Sequence, residues 1–362
     1  RLGGDARVPV ESRLPRLPRC TGRHPRTDPP SLHLAAPRGF CAGVERAIET
    51  VELALKVYGP PIHVRHEIVH NRHVVEDLRA KGAVFTDDLA GVPAGAVLVL
   101  SAHGVAPSVR REAEARGLRV LDATCPLVTR VHLEALRHAR DGCTVVLVGH
   151  RRHVEVQGTL GEAPESIVVV EDTAEAEALR VSDPAKVAYV TQTTLSVDDS
   201  RAVVEVLRRR FPALREPARG ICYATQNRQN AVKELARRCR TVFVVGAPGS
   251  SNANRLVEVA RGLGAAARLV EGPEDLRAEW LAPGADVGVT ASASTPEDVV
   301  QACVARLREL GGYRVEPFRL VEETIAFPLP AGLLDEARAR GVDAGPAGRG
   351  RPAPAADAEA SC

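Results

Sequence analysis

The chain has 362 residues, 44% hydrophobic and 26% charged, with a net charge of +2. That composition excludes a largely disordered chain and a collagen or coiled-coil rod, and eight Cys are too few for a disulfide scaffold. The longest apolar runs, such as Ala96 to Leu100, are strand-length and far short of the ~20 residues of a membrane span.

In chain order, residues 1–31 come first, with seven Arg, six Pro and no apolar period. They read as a disordered extension or a mistaken upstream start, and no apolar signal segment follows them. They also hold the excess positive charge, a net of +4, whereas residues 32–339 carry −2. A nucleic-acid binder shows its basic patch on the folded domain, so no nucleic-acid partner is expected.

From residue 32 one unit repeats: a short apolar strand, a polar loop, an amphipathic helix. Strands are predicted at Ile62–Val64, Val97–Leu100, Val120–Ala123, Thr144–Val148, Ile167–Val170, Val187–Val190, Thr241–Val245, Arg268–Val270 and Val287–Thr290. Helices are predicted between them, among others at Val44–Val57, Ser108–Arg116, Thr129–Arg140, Val197–Phe211, Gln229–Arg238 and Pro296–Leu310. Strands alternating with helices imply parallel α/β layers. The expected organisation is three similar α/β lobes around a pseudo-threefold axis, at 32–124, 125–221 and 222–330. The third includes a C-terminal return, and residues 331–362 read as a mostly disordered tail.

In such folds ligands gather beyond the carboxyl ends of the strands. Two sets of loops lie there. In the first, a Cys opens a helix: Cys41, Cys125 and Cys222, each followed by an Arg five or six residues on. A helix N-terminus favours thiolate, the ligating form of Cys. Three thiolates do not complete a structural zinc site, which takes four ligands, but they suit a [4Fe-4S] cluster with one open iron. The alternative is three buried structural cysteines, since Cys is among the most buried residue types. Cys20, Cys143, Cys239, Cys303 and Cys362 lack the helix-opening context and read as non-ligands.

The second set of loops carries His, Ser, Thr and Asn: His66 to Asn71, Ser101 to Gly104, Gly149 to Glu155, Thr191 to Thr194, Gly249 to Asn252 and Ser292 to Pro296. Hydroxyls and backbone N–H groups at helix N-termini make an anion cradle, although any one such Ser is more simply an ordinary cap. No nucleotide-binding glycine motif occurs at a suitable junction. His70, His103 and His153 add donors expected to be partly positive near neutral pH. Glu67 is read as the charge partner of His66. Glu155 is either a surface partner of Arg151 or Arg152, or a buried acid with a raised pKa.

At these loops the chain resembles the 4-hydroxy-3-methylbut-2-enyl diphosphate reductase (LytB/IspH) family. The resemblance rests on Pro37-Arg38-Gly39-Phe40-Cys41-Ala42-Gly43-Val44, Ser101-Ala102-His103-Gly104-Val105, Asp122-Ala123-Thr124-Cys125-Pro126, Thr191-Gln192-Thr193-Thr194-Leu195-Ser196 and Cys222-Tyr223-Ala224-Thr225-Gln226-Asn227-Arg228-Gln229. It implies an iron–sulfur oxidoreductase of the last methylerythritol phosphate step in isoprenoid synthesis, giving isopentenyl and dimethylallyl diphosphate. It implies one central [4Fe-4S] cluster per chain on Cys41, Cys125 and Cys222, with one open iron. It implies an allylic diphosphate held by His70, His103, His153, Ser250, Ser251, Asn252 and Ser294, with Thr193 on the substrate hydroxyl and Glu155 as proton donor. A ferredoxin or flavodoxin is the implied electron donor. The motif wording is bacterial, so a cytoplasmic enzyme, monomer or weak dimer and free of membrane, is expected. Two positions depart from the family pattern: Val154 stands where Pro is common, and Ser292 where Gly is common, with a side chain that could crowd the diphosphate. Rival readings are quinolinate synthase, which also sets three Cys on three lobes, and an iron–sulfur sensor or RNA-binding protein.

Overall fold

The computed structural model describes residues 28–218 and 220–345. The calls on residues 1–27 and 346–362, including Cys20 and Cys362, lie outside the described residues.

Three parallel sheets form, one per lobe. The first lobe runs through α1 (Ala42–Tyr58), β2 (Ile62–Arg65), α2 (Arg72–Ala80), β3 (Ala83–Thr86), β4 (Val97–Leu100), α3 (Pro107–Ala115) and β5 (Arg119–Asp122), with strand order β3-β2-β4-β5. The second holds α4 (Pro126–Arg140), β6 (Thr144–Val148), α5 (Val154–Leu160), β7 (Ile167–Val170), α6 (Thr173–Ala178), β8 (Val187–Thr191) and α7 (Val197–Arg210), in order β7-β6-β8. The third holds α8 (Tyr223–Arg238), β9 (Thr241–Val245), α9 (Ser251–Gly262), β10 (Ala266–Val270), β11 (Val287–Ala291), α10 (Glu297–Gly311) and β12 (Arg314–Arg319). Its five-stranded order is β10-β9-β11-β1-β12, where β1 is Ser31–Ala36.

Each sheet is buried on both faces, as parallel sheets require. The first lobe packs Val64 and Val99 on one face and Leu98 and Leu100 on the other. The second uses Val146 and Val148 against Val145 and Leu147. The third uses Phe243 and Val245 against Val242 and Val244. The alternation along β4, β6 and β9 thus feeds two separate cores per lobe.

Three placements differ from the sequence reading. The boundary expected at 31/32 cuts into β1, whose Ser31 N–H donates to Asp286 Oδ1 at 2.9 Å. Residues 32–36 were expected in the first lobe with no strand predicted there, but they form a strand that pairs with β11 and β12 of the third, so only the chain after it enters the first lobe. The expected tail from 331 begins instead with α11 (Ala331–Ala339), which buries Leu333 and Ala337 in the core around α1. Leu333 and Ala337 are four residues apart and share one helix face, enough for a short docking helix.

Candidate active site

Cys41, Cys125 and Cys222 are the N-cap residues of α1, α4 and α8. Their peptide N–H groups form a cycle between lobes. Cys125 N–H donates to Ala102 O of the first lobe at 3.0 Å. Cys222 N–H donates to Thr193 O of the second at 3.4 Å, and Cys41 N–H donates to Ala293 O of the third at 3.3 Å. Ala102, Thr193 and Ala293 sit at corresponding points of three post-strand loops. The threefold repeat is therefore carried by backbone contacts rather than by sequence identity.

The thiols of Cys41 and Cys125 approach each other at Gly43. A Cβ there would lie 2.6 Å from Cys125 Sγ and 3.9 Å from Cys41 Sγ, so only glycine lets the first turn of α1 approach. Cys222 Sγ accepts from Thr225 N–H at 3.4 Å and lies 3.1 Å from the Thr225 hydroxyl. The expected depression of the thiol pKa values is reversed. Burial pushes all three up, Cys125 to about 12 and Cys222 to about 11, and the thiols also disfavour each other's ionisation. A helix N-terminus is worth about 0.3–1 kcal/mol, less than one pKa unit, so desolvation wins. Three desolvated, half-buried thiols that resist ionisation alone suit a positively charged iron centre, whose binding would drive the protons off.

Cys143, Cys239 and Cys303 are buried and do not line this cavity.

All twelve candidate residues face one cavity: the three Cys, His70, His103, His153, Glu155, Thr193, Ser250, Ser251, Asn252 and Ser294. Glu155 is 2% exposed, which removes the surface reading; Arg151 pairs with Glu175 instead. Its carboxylate accepts from the Thr193 N–H at 2.7 Å and the Thr193 hydroxyl at 2.9 Å. Burial raises its pKa to about 7 against the opposing pull of those two bonds. Such a group holds a transferable proton near neutral pH.

The imidazoles stack on one wall, with His70 and His103 ring centres 4.2 Å apart and His153 5.7 Å from His70. Burial and mutual repulsion hold them neutral, His153 at about 4 and His103 well below its ordinary value. This corrects the expectation of partly positive rings. An anion placed among them would reverse the repulsion and recruit protons. Glu67 is also corrected: it pairs with His70 Nδ1 at 3.0 Å, while His66 Nδ1 takes Asp87 at 2.7 Å. Asp87 lies on the loop after β3, a strand the sequence reading passed over, so nothing local marked it.

Asn252 Oδ1, also on the cavity lining, accepts from Ala293 N–H at 2.9 Å, while its buried Nδ2 has no partner among the described residues. Ser250 caps α9, and Ser294 donates to His70 O at 3.1 Å. Gln192 was missed as a site residue. It is 1% exposed, and its Nε2 donates to Thr194 Oγ1 at 2.7 Å and Ser251 Oγ at 3.3 Å, tying two rim loops. Its signal was its place beside Thr193.

Neither departure disturbs the cavity. Val154 begins α5 without Pro, and the His153 ring caps that helix by accepting the Glu155 N–H at 3.2 Å. Ser292 is fully buried beneath its loop, its hydroxyl 2.9 Å from Thr295 Oγ1, so it does not crowd the cavity.

The comparisons with known proteins agree with this geometry. A family model described as LytB protein matches residues 32–308. A 4-hydroxy-3-methylbut-2-enyl diphosphate reductase of Bordetella bronchiseptica is 58% identical over 301 residues, 83% of this chain and 92% of that protein. The enzyme of the same name from Ralstonia nicotianae is 55% identical over 301 residues, covering 83% of this chain and 93% of its own. Among solved structures, the E-1-hydroxy-2-methyl-but-2-enyl-4-diphosphate reductase of Plasmodium falciparum aligns with a TM-score of 0.84 at 40% identity. That alignment covers 87% of this chain and all of that one. A second structure, of (E)-4-hydroxy-3-methyl-but-2-enyl diphosphate reductase, aligns at 0.57 and 31% identity, covering 77% and 99%. Neither rival reading is supported by these relatives. With the family model spanning most of the chain and relatives above half identity along its length, this chain belongs to the LytB family.

Proposed function

We propose that this cavity reductively removes the hydroxyl of (E)-4-hydroxy-3-methylbut-2-enyl diphosphate, giving isopentenyl and dimethylallyl diphosphate, the terminal step of the non-mevalonate pathway. The observation that carries the reading is one cavity shared by the thiols of three helix N-cap residues, a buried acid and three imidazoles. Members of this family bind an iron–sulfur cluster. Cys41, Cys125 and Cys222 would hold it, as one [4Fe-4S] cluster with one iron free of protein ligands. When bound, it would relay the two electrons of the reduction one at a time from an external donor.

The protein's own residues do the rest. His70, His103 and His153, together with Ser250, Ser251, Asn252 and Ser294, bind the diphosphate. The orphaned Asn252 Nδ2 gains an oxygen to donate to. Thr193 orients the substrate hydroxyl, and its own hydroxyl already touches Glu155 Oε2, which makes a two-bond proton path. Glu155 delivers one proton so that water leaves rather than hydroxide. The second proton reaches one of two allylic carbons, hence two products from one C–O cleavage. Burial of the site limits competing protonation by solvent.

A ferredoxin or flavodoxin is assigned as electron donor, and a cytoplasmic monomer or weak dimer as the working form. Among the described residues no helix is long and apolar enough to cross a membrane.

The test is anaerobic reconstitution with iron and sulfide, followed by iron content, absorption spectrum and turnover with reductant. The spectrum should shift on adding the allylic diphosphate, and both products should form. Cys41→Ser, Cys125→Ser and Cys222→Ser should each lose iron, while Cys143→Ser, Cys239→Ser and Cys303→Ser keep it. Full iron loading in Cys125→Ser would overturn the ligand assignment.

A further inference from the structure

The arginines that follow the three Cys are not used by the mechanism above. Arg46 lies on α1, one turn beyond Cys41. Its guanidinium donates to Thr124 O at 2.9 Å and Asp122 O at 3.2 Å, the peptides that lead into Cys125. Arg228 lies on α8, beyond Cys222, and is 0% exposed. It donates to Gly39 O at 2.8 Å and Phe40 O at 3.2 Å, the peptides that lead into Cys41. Each arginine thus ties the helix of one candidate ligand to the loop of the next.

Both are braced from behind by the same segment, residues 320–330. Arg46 Nε donates to Pro328 O at 2.7 Å, and Arg228 meets Glu323 at 3.1 Å. The third corner is built differently. Arg130, the counterpart after Cys125, is exposed, and its side chain makes no hydrogen bond or ion pair among the described residues. There α4 holds the segment before Cys222 through Glu134, which accepts from Ala218 N–H at 3.0 Å.

We propose that Arg46 and Arg228 are positioning residues that fix the mutual spacing of Cys41, Cys125 and Cys222, and that Arg130 is not. The physical argument is geometric. A guanidinium presents several donors in a rigid fork, so one side chain grips two carbonyl oxygens of the same loop and fixes the peptides that carry them. Lysine, with one flexible ammonium, keeps the charge but not the fork. Partners of this outer kind are typically worth about 10–100-fold in metal affinity.

The proposal rests on the three Cys being the ligands, and the experiment separates the two claims. Arg46→Gln, Arg228→Gln, Arg228→Lys, Arg130→Gln and Cys222→Ser are reconstituted anaerobically beside the unaltered protein. Iron release to a chelator and the electron paramagnetic resonance spectrum of the reduced cluster are recorded. Arg46→Gln and Arg228→Gln should release iron roughly 10–100-fold faster with altered spectra. Arg228→Lys should fall between, and Arg130→Gln should match the unaltered protein. If Arg228→Gln fails to fold because Glu323 is stranded, the half-buried Arg46→Gln decides alone. Unchanged release in Arg46→Gln, with iron lost in Cys222→Ser, overturns the clamp and keeps the ligands. Equal acceleration in Arg130→Gln, or full rescue by Arg228→Lys, would make the effect one of charge and overturn the clamp as well. Retention of iron in Cys222→Ser would overturn the ligand reading itself.

Discussion

Replacing Glu155 by Gln should slow the enzyme and stabilise it at the same time. Gln keeps the shape: its Oε1 can accept the Thr193 N–H and its Nε2 can donate to the Thr193 hydroxyl, preserving contacts of 2.7 and 2.9 Å. What it loses is the transferable proton, typically worth ~10²–10⁴-fold in rate. Iron content and the substrate-induced spectral shift should persist, since neither the thiols nor the diphosphate contacts involve this side chain. Because the acid form is the donor, the single-turnover rate of the unaltered enzyme should fall above pH 7, and this limb should vanish in the variant.

The stability change follows from the same pKa. Burial raises Glu155 from 4.5 to about 7, so the folded protein holds this proton more tightly than the unfolded chain. Stability is therefore greatest below the unfolded value and is lost as pH rises through the folded one. At 1.36 kcal/mol per unit, the cost reaches about 3 kcal/mol above pH 7 and is near zero below pH 4. Gln carries no such cost. Urea unfolding at pH 5 and pH 8 should show the variant ahead by about 1 kcal/mol and about 3 kcal/mol respectively. A near-native single-turnover rate would remove Glu155 from proton delivery. A stability gap that does not widen with pH would show that the carboxylate is not desolvated.

Three further outcomes are expected. Gly43→Ala should improve helix propensity by up to about 1 kcal/mol yet lower iron loading, since the new Cβ meets Cys125 Sγ; iron assay and unfolding of the metal-free protein check both halves. Binding of inorganic diphosphate should take up protons near pH 7, because His70, His103 and His153 start neutral with depressed pKa values. Calorimetry in two buffers of different ionisation enthalpy measures it, and the same depression predicts stability lost as pH falls from 6.5 toward 4. Ser292→Gly should leave KM for the substrate unchanged while costing about 1 kcal/mol of stability, as its hydroxyl bonds Thr295 beneath the loop.

How much was legible depended on what each element buries. Strands such as β6 and β9 are buried on both faces and show as unbroken apolar runs, so their ends agree with the structure. The edge strand β12, Arg-Val-Glu-Pro-Phe-Arg, buries only Phe318 and carries Pro317 where an edge tolerates it, so no run was visible. The short docking helix α11 was hidden in the same way, by having only two buried residues. The candidate site residues were legible as loop chemistry at strand ends, which the α/β architecture brings together. Their protonation was not, because desolvation depends on neighbours from three lobes. His103 is held neutral by rings from elsewhere on the chain, and the thiol of Cys125 is raised by packing that no local window contains.

The cycle of backbone bonds explains why one fold can serve two tasks in a single cavity. Each Cys N–H is spent on the central carbonyl of a cavity-facing loop: Ala102 beside His103, Thr193 beside Thr194, Ala293 beside Ser294. The carbonyl oxygens that precede two of the Cys are gripped by Arg46 and Arg228. Ligand spacing and pocket shape are therefore fixed by the same few peptide groups, and a displacement of one must be felt by the other. A lobe could not rotate to admit a larger substrate without stretching a Cys N–H bond already at 3.0 to 3.4 Å. Packing of this kind leaves few intermediate arrangements, because close-packed interfaces shift in discrete steps. The third corner, held through Glu134 rather than an arginine, is the one place where that coupling is weakest. Motion between lobes during substrate entry should therefore centre on the segment that leads into Cys222.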